Sequence, residues 1–302
     1  MRDRLYPMST ETADPNLAEI DRWPTERAVM AMFEGQREAV ASIGSQTEAI
    51  ARAAEAAAER LGDAGRLAYA GAGTSGRVGV QDGVELTPTF GWPEERLAFF
   101  LAGGETAMMR AVEGAEDDAE AGRAAVRDAA FGQCDVLIGV AASGRTPYTI
   151  GALEEARSRG SLTISFSCNP DTPLLEAAEH PILLDTGSEA VAGSTRMKAG
   201  TAQKAALNLL STAIMLRQGL VYRGLMVNMR ISNAKLLKRG IAMVSEIAGV
   251  DDAVAGIALE DAGRDIRTAV LVALGLDLAD ARQRMAETPR EFAALVEQLR
   301  TR

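Results

Sequence analysis

RLAYAGAGTSGRVGVQDGVELTPTF, residues 66–90, decides how the chain folds. Leu67 to Ala70 make a short apolar run of buried-strand length, and Gly71-Ala72-Gly73 lets the backbone turn tightly into a helix beginning near Ser75. The first amides of such a helix have no partner within it and lie at the positive end of its dipole. A phosphate placed there meets several N–H groups and the hydroxyls of Thr74 and Ser75, so the turn is a candidate anion site. The same letters, Gly71-x-Gly73-x-x-Gly76, spell the dinucleotide fingerprint. A nucleotide would also need an acidic residue closing the second strand, about 20 residues on, to hold the ribose. The run from Arg96 to Ala102 ends without one, although Glu94 and Glu95 precede it, which disfavours NAD or FAD. A purely structural turn stays open at this point.

Outward from this stretch, apolar runs near 66–70, 96–102, 135–141, 161–167 and 181–185 alternate with helical stretches near 75–84, 116–129, 146–159 and 196–218. The alternation predicts an α/β fold whose five-stranded parallel sheet is covered by helices on both faces, with ligands held beyond the carboxyl ends of the strands. The loop after the third strand, AASGRTPY (141–148), repeats the Ser-Gly-Arg of the first: Ser143 to Arg145 beside Ser75 to Arg77. Thr146 then falls beside a helix start, with Pro147 in its first turn. Two hydroxyl-bearing helix starts at neighbouring strand ends would cradle one phosphate, although either serine alone reads as an ordinary N-cap. A third element, AGSTRMKAG, sets Gly193, Ser194 and Thr195 before a long helix carrying Arg196, Lys198 and Lys204. By default those hydroxyls are caps and those lysines a solvated face.

The 302 residues suit one main domain with appendages. We expect an N-terminal helical segment over 1–62, a phosphate-binding α/β domain over 63–225 and a small helical domain over 226–302. Residues 24–62 hold two helical stretches with a break between Ser42 and Ser45, bounded by Pro24 and Gly62 and presenting an apolar face that needs a partner. Residues 240–302 read as three or four short helices, assigned to packing. Forty-two acidic against 32 basic residues give a net charge of −10, which argues against nucleic acid and anionic membranes as partners but leaves a phosphorylated small molecule open. The opening MRDRLYPMSTETADPN lacks the apolar core of a signal peptide, and no apolar run approaches a membrane span of ~20 residues, so a cytoplasmic location is expected. Cys134 and Cys168 lie in separate apolar stretches and read as buried free thiols; with His180 the only histidine, neither a zinc site nor a Ser-His-Asp triad is expected.

Two acidic positions stand out. Glu85 lies among Val84, Leu86, Pro88 and Phe90, and desolvation there would favour its protonated form and fit it for general acid work; the plain alternative is a helix-end glutamate facing water. Glu116 lies in RAVEGAEDDAEAG, where a helix begins; first-turn acids such as Glu116, Asp117 and Asp118 are favoured by capping and the dipole alone. Glu113 is one turn away and spacing does not separate it from Glu116. This loop nevertheless follows the second strand, so it opens at the same sheet end as the phosphate cradle, where a pair of carboxylates would serve acid-base chemistry on a sugar.

Taken together, GAGTSGR (71–77), GVELTPTFG (83–91), VEGAEDD (112–118), AASGRTPY (141–148), SCNP (167–170), GSTRMKAGTAQK (193–204) and NAKL (233–236) resemble the N-acetylmuramic acid 6-phosphate etherases, over a span from about residue 8 to the C-terminus. The resemblance implies a sugar isomerase (SIS) fold built as a three-layer sandwich, a helical C-terminal domain, a homodimer, and lyase activity in bacterial peptidoglycan recycling without metal or nucleotide cofactor. On the family pattern Glu85 matches the acid that protonates the departing lactate and then activates water. Glu116 matches the base that removes the C2 proton. Thr74, Ser75, Ser143 and Thr146 match the phosphate-binding positions, and Gly73, Ser194, Thr195, Lys198 and Lys235 are further candidates for substrate contact. Where the family commonly has Ser-Glu-Cys-Pro-Pro, this chain has Val84-Glu85-Leu86-Thr87-Pro88: the carboxylate is kept and its neighbours are more apolar. Two rival readings share the phosphate loops. One is a non-catalytic sugar-phosphate sensor like the glucokinase regulatory protein, and the other is an aldose-ketose isomerase, whose reaction also starts at C2.

Overall fold

In the computed structural model, which describes residues 8–301, the expected alternation is present. Residues 1–7, part of the opening stretch read above as lacking a leader, lie outside the described residues. Among the described residues five strands, β1 (Leu67–Gly71), β2 (Leu97–Leu101), β3 (Val136–Val140), β4 (Leu162–Ser167) and β5 (His180–Leu183), form one sheet in the order β2-β1-β3-β4-β5 with every pairing parallel. The helices in chain order are α1 (Thr25–Ser42), α2 (Thr47–Leu61), α3 (Gly73–Val84), α4 (Leu86–Phe90), α5 (Thr106–Met109), α6 (Ala119–Asp128), α7 (Pro147–Ser158), α8 (Pro173–Ala177), α9 (Lys198–Arg217), α10 (Ala234–Ala248), α11 (Asp252–Asp261), α12 (Ile266–Ala273), α13 (Leu278–Glu287) and α14 (Phe292–Arg300). No helix among the described residues is long and apolar enough to cross a membrane.

Contacts divide the described chain into two units, not the three consecutive segments expected from the sequence. One unit gathers the residues up to Gly83 with Glu95–Ser211; the other gathers Val84–Glu94 with Thr212 onward. The N-terminal helices join the first unit because the apolar face of α2, from Ile50 through Ala53, Ala54, Ala57 and Ala58 to Leu61, packs on β3, β4 and β5. The same pattern had predicted a need for a partner, and α2 finds it within its own unit. In contrast, α1 keeps Val29, Met30, Phe33 and Val40 about half exposed.

In the first unit every residue of β1 and β3 is buried, as a parallel sheet with both faces covered requires. Alternation sends Ala68, Ala70 and Leu137 to one face, where they meet Val126 of α6 and Ala152, Leu153 and Ala156 of α7. Tyr69 points to the other face and donates its hydroxyl to Asp82 of α3 at 2.7 Å. Asp82 is also an acceptor for Asn208 at 2.5 Å and Ser211 at 3.1 Å, so one buried carboxylate ties β1, α3 and α9 together. Burial raises its pKa, and the three donors act against that shift.

At the amino edge of the sheet Arg66 grips Asp135, with Nη2 2.7 Å from Oδ2, and the backbone amides of Arg66 and Gly132 add bonds of 2.8 and 2.9 Å. Burial pushes the Asp135 pKa up, but the Arg66 guanidinium and these donors outweigh it and hold the carboxyl below its ordinary value of 3.8. A carboxylate with a depressed folded-state pKa adds stability above its ordinary value, and that stability is lost as pH falls through the lower, folded one. Asp135→Asn is therefore expected to cost about 1–3 kcal/mol at pH 7, the range for hydrogen bonds to charged groups. In urea titrations at pH 7 and near pH 3 the difference from the parent should shrink at the lower pH.

The second unit has its own core. Val244, Leu259, Val270, Leu271, Phe292 and Val296 are all buried in it, and Tyr222 packs edge-on against Phe292 at 5.5 Å. Five helices, α10 to α14, build it where three or four were expected over 240–302, because the first begins at Ala234. Asn233, Asp251, Asp265 and Asp277 cap four of them, each side chain accepting from an amide of the first turn. Such caps are worth ~1 kcal/mol each and mark the breaks that the sequence pattern left blurred. Val84–Glu94 belongs to this unit through Asn228, which donates to Phe90 O at 2.7 Å, and through the amide of Arg230 on Pro88 O at 3.4 Å.

Candidate active site

The order β2-β1-β3-β4-β5 reverses direction between β1 and β3, and a crevice at the carboxyl ends of those two strands is where a doubly wound sheet holds its ligand. A cleft of about 350 Å³ lies there. Gly73, Thr74 and Ser75 line it from the loop after β1, and Ser143, Arg145 and Thr146 from the loop after β3. Glu116 and Asp117 come from the loop after β2, Thr195 from the turn before α9, and Met8 and Glu11 from the N-terminal segment. A larger cavity of about 720 Å³ runs along the edge strand β2 but is faced chiefly by apolar side chains such as Leu97, Phe99 and Met108. The smaller, hydroxyl-rich cleft is the candidate site.

The glycines of the first loop have a packing explanation that needs no nucleotide. A Cβ on Gly71 would lie 2.8 Å from the Cα and N of Gly76, and one on Gly76 would lie 2.3 Å from Leu101 Cδ1. Strand and helix thus cross at backbone contact, which holds the start of α3 against β1 and β2. The helix begins at Gly73, two residues before the expected start, so Ser75 lies inside its first turn and does not cap it. The Ser75 hydroxyl donates to the buried Gln203 Oε1 of α9 at 3.0 Å, and Gln203 Nε2 sits 3.9 Å from the Cys168 sulfur. Gln203 was not foreseen; a buried amide four residues into an apolar helix turn of GTAQKAAL was the available signal.

Ser143 does not cap its helix either. Its Oγ accepts the amide of Arg145 at 3.1 Å, closing a turn of its own, while Thr146 takes the N-cap position of α7 with no side-chain cap bond. Among the described residues the hydroxyls of Thr74, Thr146 and Thr195 have no hydrogen-bond partner, as a site waiting for an acceptor-rich ligand requires. The second-strand loop sorts its acids by role. Asp118 caps α6 by accepting from Ala121 N at 2.9 Å, and the helix starts at Ala119. Glu116 and Asp117 sit in the short 3-10 turn Ala115–Asp117 before it, exposed on the cleft. Glu113, which spacing could not separate from Glu116, does not line the cleft.

The turn before α9 differs from the expectation. Ser194 and Thr195 were read as caps, but the amides of Lys198 and Ala199 are taken by the carboxylate of Glu189, both at 2.9 Å, and Glu189 is 1% exposed. Lys198 is itself buried, with Nζ 3.1 Å from Glu38 Oε2, and Ser194 does not line the cleft. Asn169 of the SCNP stretch also went unforeseen. It is buried and binds Thr10, Ser9 and the carbonyl of Ala142, which joins the ends of β3 and β4 to the N-terminal segment.

In the second unit, Glu85 stands at the N-cap position of α4 and is exposed. Of the two readings, the helix-end glutamate facing water is the one the chain shows, because Leu86 and Phe90 are buried while Val84 is 48% exposed. Thr87 is occupied too, donating its hydroxyl to Trp92 O at 2.8 Å. Two of the three departures around Glu85 are thus consumed by local packing. Lys235 is exposed in the first turn of α10, and Asn233 of the same stretch caps that helix by accepting from Leu236 N at 3.0 Å. The thiols divide as well. Cys168 is buried, which pushes its pKa up to about 12, whereas Cys134 is exposed because it lies in the turn ahead of β3 and not in the strand. His180 opens β5, where partial burial lowers its pKa.

Comparison with known proteins agrees with this geometry. The model of the glucokinase regulatory protein N-terminal SIS domain matches residues 49–157, and that of the SIS domain matches residues 120–213. The chain is 47% identical over 280 residues to an N-acetylmuramic acid 6-phosphate etherase of Deinococcus radiodurans, covering 92% of each protein. It is 44% identical over 287 residues to one from Rubrobacter xylanophilus, covering 95% of each. It is 44% identical over 282 residues to one from Aeromonas hydrophila, covering 93% of this chain and 95% of that one. With both SIS models placed on the sheet that frames the cleft and relatives at this identity along nearly its whole length, the chain belongs to the N-acetylmuramic acid 6-phosphate etherase family.

Proposed function

We propose that this protein cleaves the D-lactyl ether of N-acetylmuramic acid 6-phosphate with water, giving N-acetylglucosamine 6-phosphate and D-lactate in cell-wall sugar recycling. The observation that carries the reading is the cleft itself, which unites free hydroxyls from two repeated Ser-Gly-Arg loops with the carboxylate of Glu116 on a third loop. In it the amides at the start of α3 and the hydroxyls of Thr74, Ser143 and Thr146 hold the phosphate, joined by Ser75 once its hydroxyl turns from Gln203, with Gly73 and Thr195 at its border.

The chemistry follows from the open-chain sugar. Its C1 aldehyde acidifies the C2 hydrogen. Glu116 takes that proton, electrons move to form the C2–C3 double bond, and the lactyl oxygen leaves C3 with a proton from Glu85. Water then adds to C3 of the unsaturated aldehyde as Glu85 takes its proton, and C2 is reprotonated. One water enters and one lactate leaves, so the sum balances with no other reagent.

On the family pattern the protein works as a cytoplasmic homodimer, and mixing a Glu85→Gln chain with a Ser143→Ala chain tests whether the two roles are shared between copies. The reaction is tested by D-lactate release from N-acetylmuramic acid 6-phosphate in a coupled assay. Binding with no product would favour the sensor reading, and a ketose phosphate would favour the isomerase.

A further inference from the structure

Residues 8–12 form a strap along one wall of the cleft, and they are held with more care than a loose surface segment needs. Ser9–Glu11 make a single 3-10 turn, closed by Glu11 N on Met8 O at 3.0 Å and Thr12 N on Ser9 O at 3.2 Å. Thr10 is fully buried. Its carbonyl accepts from Gly193 N at 2.9 Å and its hydroxyl from Asn169 Nδ2 at 3.0 Å, while Ser9 Oγ donates to Asn169 Oδ1 at 3.1 Å. The strap is thus pinned to the end of β4 and to the turn before α9. The next side chain, Glu11, lies in the cleft lining, with Oε2 2.9 Å from the place a Cβ on Gly193 would occupy. Among the described residues its carboxylate has no hydrogen-bond or ion-pair partner.

An unpaired carboxylate in this position is costly for a site that takes only phosphate. Glu11, Glu116 and Asp117 face the cleft against the single guanidinium of Arg145, and like charges repel a phosphate dianion at contact distance. The placement is favourable when the carboxylate meets hydrogen-bond donors of the ligand, and in a sugar phosphate these are the hydroxyls and the amide N–H. We propose that Glu11 is a substrate-binding residue whose carboxylate accepts a hydrogen bond from a hydroxyl or amide N–H of the bound amino-sugar phosphate. The proposal rests on the sugar-phosphate reading of the cleft and gives the strap a purpose, which is to hold Glu11 at a fixed place.

The test uses the full chain and two probes, N-acetylglucosamine 6-phosphate and inorganic phosphate, titrated by calorimetry into the parent, Glu11→Gln and Glu11→Ala. Because hydrogen bonds to charged groups are the stronger class, Glu11→Ala should bind the sugar phosphate about 10- to 100-fold more weakly, with a matching rise in KM and a kcat changed by less than about threefold. Glu11→Gln, which keeps one acceptor oxygen, should fall between. Inorganic phosphate should bind the variants as well as the parent or better, since a repelling charge is gone, and the melting temperature should stay put because the side chain is exposed and unpaired. Unchanged sugar-phosphate affinity in Glu11→Ala overturns the proposal, and so does an equal loss for both probes with a lowered melting temperature, which would make the strap purely structural. A parent that binds the sugar phosphate but releases no lactate would defeat the etherase reading and leave the Glu11 result standing. A parent that binds no sugar phosphate would defeat both.

Discussion

Glu85→Gln should lower D-lactate release by roughly 10²- to 10⁴-fold, the range for removing a general acid, while sugar-phosphate affinity stays within a few-fold of the parent. Glutamine matches glutamate in shape but supplies no proton to the lactyl oxygen and takes none from water, so both halves of the reaction suffer. The proposed phosphate-binding hydroxyls should be untouched, because they line the cleft formed by the loops after β1 and β3. Folding should be untouched as well. Glu85 is exposed, its side chain has no partner among the described residues, and surface changes of this kind usually fall within about 0.5 kcal/mol. Steady-state kinetics together with calorimetric binding of N-acetylglucosamine 6-phosphate check the split between turnover and affinity. Near-parental turnover would remove Glu85 from the mechanism.

Gly144→Ala should have a large effect on folding. Gly144 has φ of +65°, and a Cβ there would lie 2.3 Å from Thr172 Oγ1 and 2.5 Å from Ser167 Oγ, both on buried residues. Left-handed backbone costs an L-residue about 1–2 kcal/mol, and forcing an extra methyl into a packed site about 1–3 more, so the sum is roughly 2–5 kcal/mol. Against a total stability on the order of 5–15 kcal/mol, that is a substantial part. Relief of the clash would move a loop that also accepts Leu174 N at 3.1 Å and holds Ser143 and Thr146 on either side, so phosphate affinity should fall with stability. Gly73 is the matched control: its φ is +53°, but no atom lies within 4 Å of an added Cβ, so Gly73→Ala should pay only the backbone strain. Urea midpoints measure both, and a Gly144→Ala shift no larger than that of Gly73→Ala would show that the contact with Thr172 and Ser167 does not matter.

The centre of the sheet was legible because β1 and β3 are buried on both faces and their residues, LAYAG and VLIGV, run apolar without interruption. The repeated Ser-Gly-Arg loops were legible because a parallel sheet gathers such loops at one end, and the strand order places these two side by side. What each hydroxyl does was not. Ser75 turns to Gln203 and Ser143 to the amide of Arg145, and both choices depend on where a helix begins to within two residues. Partners distant in sequence were equally hidden: Glu189 caps α9 from nine residues away, and Asn169 reaches Thr10 across 159. The choice between the two readings of Glu85 was open in the sequence for the same reason. Apolar letters on either side of a carboxylate promise desolvation, but Leu86 and Phe90 face inward while Glu85 faces out.

The ether-cleavage account is tested most directly by running the reaction in H₂¹⁸O and D₂O and locating the labels in the products. Elimination followed by water addition predicts ¹⁸O at C3 of N-acetylglucosamine 6-phosphate, deuterium at its C2, and D-lactate that leaves with its original ether oxygen. Solvent ¹⁸O in the hydroxyl of lactate, with C3 and C2 unlabelled, would contradict it.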